Sequence, residues 1–141
     1  YLFLIIFMKK FFYPPININY IIKIIYTMKF SGKFKGCVRE TLVNEKGVSE
    51  TEYKAVMTIK NVNCSQKTAY LINVVDTEGE FTNLAYMEDF EKPVLRSINA
   101  DGNGITSTYF EGKYLIHEVS SVVPNCKRPT YKIKYYKLRQ C

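Results

Sequence analysis

The stretch Tyr53-Lys54-Ala55-Val56-Met57-Thr58-Ile59-Lys60 decides the fold of this chain. Tyr53, Ala55, Met57 and Ile59 fall on one side of an extended backbone, and Lys54, Val56, Thr58 and Lys60 on the other. A period of two is what a half-buried strand requires, whereas an amphipathic helix repeats its apolar positions every three or four residues. Outward from this stretch the same texture continues. Strands are expected over 33–43, 48–62, 68–76, 80–87, 93–100, 104–110, 113–122 and 130–139, and no run after Phe30 has convincing helical periodicity.

The connections carry turn chemistry. Asn44-Glu45-Lys46-Gly47, Asp76-Thr77-Glu78-Gly79, Asp101-Gly102-Asn103-Gly104 and Glu111-Gly112-Lys113 supply residues that tolerate positive φ in tight hairpins. Pro93, Pro124 and Pro129 fall at strand edges or between runs, where a missing N–H breaks no ladder. Tyr70-Leu71-Ile72-Asn73-Val74-Val75 is apolar on both faces and predicts a central or covered strand. The last run begins with Tyr131, Ile133 and Tyr135 against Lys132 and Lys134, then loses phase at Tyr136-Lys137-Leu138. That pattern predicts a bulge, with the tyrosines inside and the lysines on the outer face of an edge strand.

Eight runs with short links define an all-β domain, a single antiparallel meander that closes as a small barrel or folds as a β-sandwich. Eight strands is also the size at which a closed barrel is filled by side chains or holds one small ligand. With no helix to plug or lid it, a packed interior is favoured.

The first 30 residues use a different alphabet. Apart from Pro14, Pro15 and Thr27, they are all Phe, Leu, Ile, Met, Lys, Asn or Tyr, and Ala, Gly, Ser, Val, Asp, Glu and Cys appear only later. Residues 1–27 are therefore expected to be a leader outside the fold: upstream translation of AT-rich sequence, a fragment, or a degenerate signal or anchor. A spanning helix needs about 20 mostly apolar residues, and Lys9, Lys10, Pro14, Pro15 and Lys23 cut this stretch short. The single β domain is expected over residues 28–141, and a membrane partner only if the leader belongs to the protein. Lys9, Lys10 and Lys23 are three of the 20 basic residues, so from Met28 on 17 basic residues face 13 acidic ones, a net charge of +4. Acids gather in Asp76-Thr77-Glu78-Gly79-Glu80 and Glu88-Asp89-Phe90-Glu91, and bases in Lys127-Arg128 and the final run.

Catalytic chemistry finds little support. His117 is the only histidine, sits mid-strand between Ile116 and Glu118, and has no nucleophile beside it. No G-x-S-x-G occurs. Cys37, Cys64, Cys126 and Cys141 are widely spaced, without the close pairs that a zinc site takes. The loop opening at Asn99 places oxygen ligands at alternate positions, but the twelfth position is Phe110 and Glu111 comes one residue late for calcium. We expect no enzyme, no catalytic residues, no metal and no cofactor. A reduced, cytoplasmic protein is expected. The alternative is an exported one with disulfides among the four cysteines and a sequon at Asn63-Cys64-Ser65.

What remains is binding. The leading expectation is a non-enzymatic domain for a small apolar or amphipathic molecule or a protein partner, with Tyr53, Met57, Ile59, Arg96 and Tyr109 as lumen candidates. The alternative is a basic module in which Lys132, Lys134, Lys137 and Arg139 engage an acidic partner or single-stranded nucleic acid, with nucleic acid the less favoured.

Overall fold

The structure, a computed structural model, describes residues 17–19, 30–64, 67–87, 93–98, 104–123 and 128–141, without the side chains of 63, 64 and 67. Most of the leader, the turn residues 99–103 and Cys126 lie outside the described residues, as does the Cys64 side chain.

Eight strands follow one another: β1 (Gly32–Asn44), β2 (Gly47–Cys64), β3 (Lys67–Asp76), β4 (Gly79–Met87), β5 (Leu95–Ile98), β6 (Gly104–Glu111), β7 (Tyr114–Val123) and β8 (Thr130–Gln140). Each lies within two residues of the run expected from period and turn chemistry. Every strand pairs antiparallel with the next, and β8 pairs with β1, so the sheet is a closed barrel. Closure leaves no free sheet edge of the kind that templates aggregation. Among the described residues no helix is long and apolar enough to cross a membrane.

The interior is solid over most of its length. Phe30, Phe34, Val38, Met57, Ile59, Ile72, Leu95, Leu115 and Leu138 are buried in one cluster. Burying each such side chain is worth about 1.5–3 kcal/mol. The end where β1 begins is closed by aromatic rings. Phe30 sits 5.2 Å from Phe110 and 5.8 Å from Tyr70, centroid to centroid, and Phe34 lies 6.1 Å from Phe110. At the β1–β8 seam the backbones approach so closely that a Cβ on Gly36 would meet the Lys137 carbonyl oxygen at 2.2 Å. Only glycine fits there.

The final strand departs from expectation. It has no bulge: its register with β1 runs unbroken from Val43↔Tyr131 to Phe34↔Gln140. Tyr136 and Leu138 point into the core, so the same parity carries Lys134 and Lys132 inward, while Tyr131 and Ile133 stay 49% and 42% exposed outside. Nor is β8 an edge, since β1 and β7 flank it. The Tyr70–Val75 run lies mid-sheet, as its apolar character predicts, with β2 on one side and β4 on the other. Leu71 and Val75 face outward, opposite Leu84 and Val56, and are partly exposed.

Candidate functional site

Among the described residues, the other end of the barrel is open. The β1–β2 turn and the β3–β4 turn stand there, each held by an Asn or Asp side chain that accepts from the backbone two residues on. Asn44 Oδ1 accepts from Lys46 N, and Asp76 Oδ1 from Glu78 N, both at 2.8 Å. Gly79, at φ +139°, takes the chain back into β4 and so fixes where the Glu78 side chain stands.

Beneath these turns is a cavity of about 440 Å³, open on one side. Its lining mixes apolar Val74, Phe81 and Val119 with charged Lys132, Lys134, Glu78 and Glu80, and with His117, Asn83, Ser121 and Tyr136. Lys132, Lys134 and Glu78 belong to a continuous network. Lys134 Nζ lies 3.0 Å from Asp76 Oδ2 and 2.8 Å from Glu78 Oε2. Lys132 Nζ lies 2.7 Å from that same Glu78 oxygen and 3.8 Å from Glu40 Oε1. The Tyr136 hydroxyl donates to Asp76 Oδ2 at 2.7 Å, and the Tyr53 hydroxyl donates to Glu40. Lys134 Nζ also sits 4.9 Å from the centre of the Phe81 ring and 5.8 Å from that of Tyr53, where the ring faces favour a cation.

Burial and charge tune these groups. Desolvation, then the bond to Asp76, raises the Tyr136 phenol far above its ordinary value, and desolvation with the Glu40 bond does the same to Tyr53. Both phenols stay protonated donors. Desolvation acts to raise Glu78, but hydrogen bonding with Glu40, Lys132 and Lys134 outweighs it and holds that carboxyl at about 2. His117 is 1% exposed, and desolvation lowers it to about 4, so it faces the cavity as a neutral ring. Thr108 Oγ1 bonds its Nδ1 at 2.7 Å, and Tyr136 packs edge-on against it.

The residues expected to bind from the sequence are distributed as follows. Tyr53, Met57 and Ile59 point inward, but Met57 and Ile59 are packed in the solid core rather than along the cavity. Tyr53 reaches the mouth network through Glu40. Arg96 and Tyr109 belong outside the lumen, because Leu95 and Ser97, and Thr108 with core-packed Phe110, take the inward positions on β5 and β6. Tyr109 donates to Glu118 on the outer surface. The basic quartet is split by strand parity. Lys132 and Lys134 line the cavity, whereas Lys137 and Arg139 face outward beside Cys37 and Lys35 of β1. Cys37 and Cys141 are exposed and free. Among the described residues no three His, Cys, Asp or Glu side chains converge on a metal position.

Sequence reasoning missed Glu40, Asp76, Glu78, Phe81 and Val119. One signal was present: the turn 76–80 is a cluster of acids and the run 132–139 a cluster of bases. They meet in the barrel mouth. The chain matches no known family model, and neither a curated protein nor a solved structure is significantly similar to it.

Proposed function

We propose that this protein is a non-enzymatic binding domain that takes a small amphipathic molecule into the mouth of the barrel. The observation that carries this reading is the cavity itself, which brings apolar Val74, Phe81 and Val119 together with charged Lys132, Lys134 and Glu78. Concave, largely apolar pockets of roughly 300–1,000 Å³ with a few convergent polar groups are the usual form of small-molecule sites. The state of His117 supports binding over chemistry. The ring nitrogen of His117 nearest a hydroxyl bonds Thr108, which is buried behind it, and burial disfavours the protonated ring. The polyanion reading is weaker, because strand parity puts Lys132 and Lys134 inside the barrel and Lys137 and Arg139 on the outer face, so the four charges form no common surface.

A fluorescent lipophilic probe titrated into the full chain tests the proposal. Binding should saturate at one site and be lost in Val119→Trp, which fills the cavity, while the far-UV spectrum is kept. Binding that survives this substitution refutes the site. A steep loss with salt, tracking Lys137 and Arg139, points instead to phosphate contacts, since each neutralised phosphate adds about one to the salt slope.

A further inference from the structure

Resting on that reading, we infer that the ligand is a monoanionic amphiphile whose carboxylate takes the place that Glu78 holds between Lys132 and Lys134. The two ammonium groups converge on a single carboxylate oxygen, at 2.7 and 2.8 Å. Lys132 and Lys134 are two residues apart on β8 and project from the same face, so the strand itself sets their spacing. The barrel thus contains a formed carboxylate site, filled by its own side chain.

Glu78 is the member of the network suited to leave. Its side chain is 32% exposed, against 0% for Asp76 and 8% for Glu40. It stands in the turn between β3 and β4, where a rotamer change returns the carboxylate to water without disturbing a ladder. Asp76 and Glu40 cannot do this, as each also accepts a tyrosine hydroxyl inside the mouth.

The charge count fixes the valence of the ligand. With Glu78 in place the mouth holds Lys132 and Lys134 against Glu40, Asp76 and Glu78, and Glu80 also lines the cavity. Exchanging one carboxylate for another leaves that balance unchanged. A dianionic head such as a phosphate monoester would add a negative charge beside the carboxylates that stay, where like charges repel. A cationic head would have to turn out Lys132 or Lys134, whose side chains are 23% and 7% exposed against 32% for Glu78. The apolar lining residues Val74, Phe81 and Val119 and the volume of about 440 Å³ then call for a hydrocarbon body of moderate length.

The test uses three probes of equal chain length, decanoate, decanol and decyltrimethylammonium, titrated calorimetrically into the full chain and into Glu78→Gln and Lys132→Met. Glu78→Gln removes the internal competitor, so decanoate should bind about fivefold tighter than to the wild type, the scale of a part-exposed ion pair. Decanol should bind both alike. Lys132→Met should weaken decanoate by about tenfold or more and leave decanol unchanged. The Lys132 comparison carries the test should Glu78→Gln fail to fold. Decanol binding with no gain for decanoate in Glu78→Gln, or no loss in Lys132→Met, overturns the carboxylate assignment and leaves the cavity reading standing. Tighter binding of the ammonium probe does the same. If none of the three binds any variant, the cavity reading itself fails.

Discussion

Lys134 and Asp76 form an ion pair at 3.0 Å inside the barrel mouth, with side chains 7% and 0% exposed, although 58 residues separate them in the chain. A pair this dry is held by geometry more than by charge alone, because desolvating two ions costs nearly what their attraction returns. Tyr136 supplies the extra hydrogen bond that Asp76 needs, and Glu78 supplies one for Lys134.

Removing one partner should therefore hurt far more than removing both. Asp76→Asn is expected to cost about 3 kcal/mol or more, since it leaves a buried ammonium short of a counter-charge. Asp76→Asn combined with Lys134→Met should cost clearly less than the sum of the two single changes. Urea denaturation of the four proteins in a double-mutant cycle measures this, and simple additivity would contradict it.

Acid should destabilise the barrel in two stages. His117 takes a proton near 6.5 when unfolded but only near 4 when folded. Between those values the unfolded chain binds the proton first, so stability falls as the pH drops, by roughly 3 kcal/mol in all. Glu78 acts lower down. Its carboxyl is depressed from 4.5 to about 2, so the stability it lends is present above 4.5 and lost between 4.5 and 2. Melting temperature against pH should show both limbs, and His117→Gln should flatten the upper one alone.

Gly36→Ala should weaken the seam between β1 and β8. The added Cβ meets backbone rather than a flexible side chain, so one strand must move. A loss of about 1–3 kcal/mol is expected, as in other overpacked interiors. Faster amide exchange confined to β1 and β8 would locate the damage, and uniform exchange across the barrel would not fit.

Met57→Ala offers a contrast. Met57 is fully buried in the core and away from the cavity. It should cost about 2–5 kcal/mol in stability and leave probe binding unchanged. Exposed Arg128 pairs with Glu45 at the surface, and Arg128→Ala should shift stability by less than about 1 kcal/mol.

The strands were legible because period and turn chemistry are properties of near neighbours. Asp76-Thr77-Glu78-Gly79 and Asn44-Glu45-Lys46-Gly47 announce their hairpins without help from the rest of the chain. Which face turns inward was legible only where hydrophobicity agreed with parity, as in Tyr53 to Ile59. In β8 two apolar phases compete, Tyr131-Ile133-Tyr135 and Tyr136-Leu138, and the second prevails. Acidic partners brought from β1 and the β3–β4 turn let Lys132 and Lys134 be buried. The β5–β6 pair inverts the pattern outright: Ser97, Thr106 and Thr108 point in while Ile98 and Ile105 are 72% and 61% exposed. Those hydroxyls are satisfied across the strands, Ser97 by Thr106 and Thr108 by His117. No single strand discloses such pairing. For the same reason Arg96 and Tyr109 were misplaced, and the cavity, assembled from four strands and a turn, was not visible.

The seam between β1 and β8 also has a consequence for the order of events at the ribosome. Phe34 of β1 pairs with Gln140, and Lys33 O accepts from Cys141 N at 2.9 Å, so the first strand waits for more than a hundred further residues before its second neighbour exists. At synthesis rates of about 5–20 residues per second, that wait lasts on the order of 5 to 20 s. Throughout it, β1 presents a bare row of amides and carbonyls to every other nascent chain nearby. Lys33, Lys35 and Arg39, spaced along its outward face, make that row repellent to a second copy of itself until β8 emerges.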